Sequence, residues 1–276
     1  TKGTASLEAV QAVFPSITKF GMAALLPGKE VSANEKIDVF VDGKPTVSTA
    51  QRGTILNTAN PESVAVTYKD LLQMKKQERR ELVAGKEIIY IYHNTIDALG
   101  DKAATETKVF EACNDAIDEL TAIVKIIVND LSGVNIFITA DHGFLYTYKP
   151  LEESQKISKQ TFSGDILELG RRYALVSPET NAEYLLPVKT DRTYGGELMK
   201  GYAPQDTVRI KVQGGGENYV HGGISMQEMV VPVIVYKGMR TGYKKYVEVQ
   251  NPGLSLISES HKVSNLMFSL DFLQKQ

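Results

Sequence analysis

Apolar residues recur along this chain in two rhythms, and the change from one to the other marks its elements. Glu87–His93 (EIIYIYH) and Asn135–Ala140 (NIFITA) are short, β-branched and apolar, the pattern of buried strands. Between them Val109, Cys113, Ala116, Ile117, Leu120, Val124 and Ile127 fall at three- and four-residue steps, which predicts a long helix over Thr105–Asp130. Strand, helix, strand is a βαβ unit and predicts a parallel sheet. A second helix is expected over about Val66–Val83, with Gly85 placed to end it. From Tyr173 onward the texture changes. Tyr184–Val188, Thr207–Val212 and Met229–Tyr236 are strand-like and separated by glycine-rich turns. Lys244–Val249 is a further candidate strand before the turn signal Asn251-Pro252-Gly253. Ser264–Phe272 reads equally well as strand or helix. A small β-rich appendix is expected after about Gly238.

Bulk composition narrows the field without choosing within it. A chain of 276 residues, 42% hydrophobic, can bury one large core. Lys and Arg number 31 against 33 Asp and Glu, so no global basic field argues for nucleic acid, although a local patch stays open. The single cysteine, Cys113, excludes an intramolecular disulfide framework and fits a cytoplasmic home. The longest apolar run, Met229–Tyr236, is far too short to span a bilayer, so no membrane partner is expected.

Four short segments carry candidate chemistry. Asp141-His142 follows the strand ending at Ala140, where ligands of open α/β sheets gather. A carboxylate and an imidazole are ordinary zinc ligands, but such a pair is more often a plain loop. Asp97 and Asp101 stand four apart beyond the other strand, and without Asp141-His142 they read better as caps of a turn and of the next helix. His221 lies in Tyr219–Glu228 (YVHGGISMQE), after Gly214-Gly215-Gly216, where glycines give a ligand room to approach. Phe14–Pro27 (FPSITKFGMAALLP) places Ser16 and Thr18 at the start of an apolar helix, as caps or as phosphate-facing hydroxyls. Arg171-Arg172 can be read as a phosphate-binding fork or as surface or strand-pairing residues, and His93 as an orienting residue or a packed strand end.

Taken in order, a hydroxyl at a helix start, Asp-x-x-x-Asp, Asp-His and His-Gly-Gly, this chain resembles the alkaline-phosphatase superfamily. PSITKFGMAALLP, IIYIYHNTIDALGD, NIFITADHGFLY and YVHGGISMQEMVVPVIVY resemble more closely still the PglZ domain of BREX/Pgl phage-defence systems. The resemblance implies an α/β fold with a central mostly parallel sheet and helices on both faces. The core would be residues 1–238, with 239–276 the start of a β-rich C-terminal domain. It implies two divalent metal ions, zinc first with manganese or magnesium as alternatives, and Thr18 as nucleophile. Asp97, Asp101 and His221 would hold one ion, and Asp141 and His142 the other. Asp101 stands where many superfamily members have histidine, which shifts preference toward harder metals. No sulfatase-type Cys-x-Pro-x-Arg run surrounds Thr18.

The family pattern also begins with a strand ending in aspartate, and none of the thirteen residues before Phe14 is aspartate. The expectation is therefore an excised piece of a larger protein, with one metal site incomplete and little activity by itself. The activity implied is hydrolysis of a phosphomonoester or phosphodiester, with a nucleotide or nucleic acid among the candidate substrates and other defence-system proteins as partners. The competing function is a metal-binding scaffold or regulatory subunit of a multi-protein complex, without turnover. Metal analysis combined with mono- and diester assays separates the two.

Overall fold

The computed structural model describes residues 3–149, 151–190, 198–214, 216–238, 253–257 and 272–275. Lys244–Val249, Asn251-Pro252 and all of Ser264–Phe272 except Phe272 lie outside them. Two compact units divide the chain after Gly238.

In the first unit the strongest sequence patterns form the elements expected. Ile88–Tyr92 and Asn135–Thr139 are strands, and Val109–Asp130 is a 22-residue helix entered through the 3-10 turn Glu106–Lys108. Their partners differ from the βαβ expectation. Ile88–Tyr92 pairs in parallel with Ser63–Thr67. Asn135–Thr139 pairs antiparallel with the nine-residue strand Val230–Gly238, whose other edge holds Gly3–Gln11, also antiparallel. A return strand from late in the chain thus takes the edge of Asn135–Thr139. Among the described residues parallel pairing is confined to Ser63–Thr67 with Ile88–Tyr92 and to Lys156–Ile157 with Arg209–Ile210. The chain is α/β, but the expected central, mostly parallel sheet is not what these strands display.

The helix expected over about Val66–Val83 is three elements instead. Ser63–Thr67 is strand, because Val64 and Val66 are β-branched and sit in a parallel ladder. Thr67 then caps the helix Tyr68–Gln73, accepting from the Asp70 amide, and Met74 and Lys75 turn extended before Lys76–Val83. Gly85 does end that run, at φ 68°. Two elements had no counterpart in the sequence reading: the meander Val31–Ala33, Val39–Val41, Lys44–Pro45, and the capping-box helix Thr49–Ala59.

The core lies where these pieces meet the N-terminal segment. Phe14, Ile17, Phe20 and Ala23 are buried in one cluster with Val39, Val41, Ile55, Leu56, Tyr173, Leu175 and Met199. Tyr173 sits just before Ala174–Val176, a strand of a four-stranded antiparallel sheet with Ile166–Leu169, Lys200–Ala203 and Leu186–Val188. Burying four apolar side chains of one short segment fixes its position at roughly 1.5–3 kcal/mol for each large side chain. In the second unit Gly253–Leu256 pairs antiparallel with Phe272–Lys275. No helix among the described residues is long and apolar enough to cross a membrane.

Candidate active site

The helix Thr18–Ala24 begins at Thr18 itself, with Ile17 as its extended N-cap and no side-chain cap. Phe20 and Ala23 face the core and leave the Thr18 side chain exposed. Gly21 lies against Asp141, and a β-carbon there would collide with the Asp141 backbone. That contact brings the helix start to the end of the strand Asn135–Thr139. The Thr18 hydroxyl consequently lies 3.2 Å from His142 Nε2.

Around this point the carboxylates assemble. Asp97, in the helix Thr95–Gly100, places Oδ2 3.7 Å from His142 Nε2, and Asp141 Oδ2 is 3.6 Å from the same nitrogen. One donor atom from each of Asp97, Asp141 and His142 falls within 4.8 Å of the others, a spacing that suits a shared cation. Beside this group His221 stacks on His142 with ring centroids 4.3 Å apart, and its Nε2 lies 3.3 Å from Asp101 Oδ1. All six residues singled out from the sequence therefore converge. The cluster opens into a cleft of about 350 Å³ lined by Thr18, Lys19, Asp101, Arg171, Tyr219 and His221.

Three observations test whether these residues fit a metal. Asp141 Oδ2 is buried and has no hydrogen-bond partner, a costly state for a carboxylate unless a cation supplies the contact. Burial, and next to it the Asp97 charge, push the Asp141 carboxyl up, although His142 pulls the other way. Both imidazoles, finally, have Nδ1 at a backbone carbonyl: His142 at Gly143 O, 2.9 Å, and His221 at Ser16 O, 3.2 Å. An Nδ1–H donated there leaves each Nε2 lone pair free toward the carboxylates, the tautomer a metal ligand needs. The residues fit a divalent cation. Without one, hydrogen bonding to Asp101 and the Asp97 and Asp101 charges outweigh burial and raise the His221 imidazole above its ordinary value.

A second layer holds the ligands. The Tyr219 hydroxyl donates to Asp97 Oδ1 at 2.5 Å, and burial, together with that carboxylate, drives the phenol far above its ordinary range. Ser16 stitches the nucleophile segment to the His221 loop: its Oγ donates to Gly223 O and accepts from Gly222 N, while its amide donates to Gly222 O. Gly222 sits at φ 112°, which a side chain would resist. Behind the loop Arg172 and Glu228 form a fully buried, two-pronged ion pair, and Glu228 also accepts from the Gly223 and Ser225 amides. Glu106 accepts from the Asn218 and Tyr219 amides.

The sequence reading missed this layer. Of the two readings of Arg171-Arg172, Arg172 follows neither; it is internal bracing, while Arg171 lines the cleft. His93 bonds Glu119 of the long helix, 2.5 Å away, and packs beside Tyr68. The signal that could have found Glu228 is the Ser225-x-x-Glu228 spacing of a capping box, which the structure forms.

This architecture is an alkaline phosphatase-like fold. Murine ectonucleotide pyrophosphatase/phosphodiesterase 5 matches with a TM-score of 0.52 at 12% identity over 83% of this chain and 79% of its own. An inactive threonine-to-alanine variant of that protein, in complex with AMP, matches equally well, at 11% identity. The chain belongs to the PglZ family: the BREX system PglZ alkaline phosphatase-like domain matches residues 1–236. Its relatives include the alkaline phosphatase-like protein PglZ of Bacillus cereus, 39% identical over all of this chain and 32% of the relative. The alkaline phosphatase-like protein BrxZ of Escherichia coli is 36% identical over 95% of this chain and 31% of its own length. The chain thus spans about a third of these curated relatives.

Proposed function

We propose that this chain carries the reaction centre of a metal-dependent phosphoester hydrolase of bacterial phage defence, with Thr18 as nucleophile. Asp97, Asp101 and His221 would hold one divalent ion and Asp141 and His142 the other, with Asp97 close enough to both to be shared between them. The observation that carries the reading is the convergence of Thr18, Asp97, Asp141 and His142 on one point, where Asp141 Oδ2 is buried without a partner. Bound cations would supply charge for the phosphoryl oxygens and ease loss of the Thr18 proton.

The chain's own residues do the rest. Helix packing through Phe20 and Gly21 holds Thr18 Oγ1 at the cleft mouth, and Arg171 offers a guanidinium to a phosphoryl oxygen. Oγ1 attacks phosphorus as its proton passes to water. The ester P–O bond breaks and the leaving oxygen takes the electron pair and a proton from solvent. Water then cleaves the phosphothreonine P–O bond, restoring the hydroxyl and releasing the phosphate. The inactivity of the threonine-to-alanine neighbour supports a threonine in this role. The same reading takes 1–238 as the phosphoesterase core and 239–276 as a separate β-rich piece, supported by the division at Gly238. The half-buried free thiol of Cys113 suits the reducing cytoplasm, where other defence-system proteins would be its partners.

The test is hydrolysis of p-nitrophenyl phosphate and bis-p-nitrophenyl phosphate by the full-length protein, after chelation and on return of zinc, manganese or magnesium. Turnover should vanish on chelation and return with one of these metals. Thr18→Ala should lower kcat about a thousandfold or more, the scale seen when a covalent nucleophile is removed. A Thr18→Ala protein as active as its parent rules the nucleophile out. Tight metal binding with no turnover of either ester would favour the scaffold function instead.

A further inference from the structure

A run of aromatic rings leads from the protein surface into the candidate active site. At its outer end Tyr148 is 80% exposed and lies nearly parallel to Phe110, ring centroids 5.9 Å apart and planes 14° from each other. Tyr146 meets both edge-on, 5.0 Å from Phe110 and 5.2 Å from Tyr148. Phe110 is also 6.5 Å from Phe144, and Phe144 is 4.8 Å from Tyr219. Tyr219 lines the cleft, bonds Asp97 and stands 6.0 Å from the His221 ring.

Two elements from different parts of the chain build this run. Phe110 opens the helix Val109–Asp130, whose neighbouring Val109 is fully buried, so Phe110 is left 44% exposed on the outer side. Leu145–Tyr146 pairs with Tyr219–Val220, and there the buried Leu145 is flanked by the half-buried Phe144 and Tyr146. Packing of the core therefore does not require the outer rings. Exposing Phe110 and Tyr148 forgoes burial that either could have had elsewhere.

We propose that Phe110, Tyr146 and Tyr148 form a stacking platform for the bases of a single-stranded nucleic acid whose phosphodiester backbone enters the cleft at Thr18. This rests on the phosphoester reading above and names the substrate class for it. Three features favour a nucleic acid over an apolar protein segment. The platform is made of aromatic faces, which accept any base and so tolerate sequence. It is continuous, ring by ring, with the cleft where a phosphodiester would react. Exposed Lys149 directly follows Tyr148 and offers charge to phosphates at the outer end of the run.

The test measures binding with turnover removed, in the full-length protein carrying Thr18→Ala. Fluorescence anisotropy follows a labelled strand of about 15 thymidines, enough to fill one site, and an abasic strand of the same length. The thymidine strand should bind at least about fivefold more tightly than the abasic one, the lower end of what one base–aromatic stack contributes. Tyr148→Ala and Phe110→Ala should each remove most of that difference, and Tyr148→Phe, which keeps the ring, should retain it. Equal affinity for the two strands overturns the platform, and so does a Tyr148→Ala protein that still prefers bases as strongly as its parent. The phosphoester reading fails separately, if the unsubstituted protein hydrolyses neither the strand nor a chromogenic ester. The platform then survives as a binding surface only if the base preference remains.

Discussion

The two sides of the candidate site are held by different means. On one side the His221 loop is tied down from within the fold, by Ser16 through its hydroxyl and amide and by the fully buried Arg172–Glu228 pair. On the other, Asp97 lies in and Asp101 is the C-cap of the six-residue helix Thr95–Gly100, whose N-cap Asn94 makes no side-chain capping bond. Its support is the Tyr219 phenol on Asp97 and the Tyr219 ring, 2.7 Å from where a β-carbon on Gly100 would stand. The Asp101 side chain is 56% exposed. Histidine must be aimed through its second nitrogen, which requires a rigid frame. Aspartate can rotate either oxygen toward a cation, so its frame can be light. Damage to the first side should therefore appear as lost stability, and damage to the second as lost metal affinity.

The largest effect is expected at Arg172. Arg172→Ala strands the Glu228 carboxylate in the interior and should cost about 3–5 kcal/mol of folding stability. A shift in the guanidinium midpoint at unchanged slope would measure it. Should the protein unfold at its normal midpoint, the loop is not braced from behind.

Ser16→Ala comes next. It leaves the Gly222 amide and the Gly223 carbonyl each short of a partner, a loss of about 1–3 kcal/mol. Because Ser16 O still accepts from His221, its metal affinity should fall less than its stability. Calorimetric zinc or manganese titration beside thermal melts decides this.

Tyr219→Phe inverts the pattern. The ring still packs on Gly100, so stability should change by less than about 1 kcal/mol, while loss of the hydrogen bond to a ligating carboxylate should weaken metal binding about tenfold. A melt that collapses with metal affinity intact would erase the distinction between the two sides.

The smallest effect is in acid. Hydrogen bonds and charge from Arg172, with donors from Ser225 and Gly223, outweigh burial and hold the Glu228 carboxyl below its ordinary 4.5. A depressed folded value means that this stabilisation is present above 4.5 and is lost as pH falls through the lower folded value. Glu228→Gln should flatten the acid limb of the stability profile there, even though it lowers stability at neutral pH. An acid limb of unchanged steepness would assign it to other carboxylates.

The same contrast explains what the sequence could and could not reveal. Asp97, Asp101, Asp141, His142, His221 and Thr18 were legible because they lie just beyond strands or in and at the ends of short helices, and chemistry at such places leaves residue types in recognisable order. Ser16 looked like one more cap candidate, and Arg172 like a surface cation, because bonds spanning more than fifty residues leave no local trace. The strand Gly3–Gln11 escaped notice since Thr-Ala-Ser-Leu-Glu-Ala-Val alternates only weakly, and its place is set by the partner Val230–Gly238 far along the chain. Pairing direction was misjudged for the same reason: a run of β-branched residues reports a strand, not the neighbour it will choose.

Gly21 gives the site an unequal mechanical response. A β-carbon there would run into the Asp141 carbonyl oxygen, so the nucleophile's helix has little room to press closer to the end of the ligand strand. Movement outward is opposed by softer means, the burial of Phe14, Ile17, Phe20 and Ala23 and the 3.2 Å hydrogen bond between Thr18 and His142. The helix thus meets a hard contact inward and a softer resistance outward. A bulky ester would then be accommodated on the lightly framed Asp101 side, with the nucleophile keeping its minimum distance from the Asp141 strand.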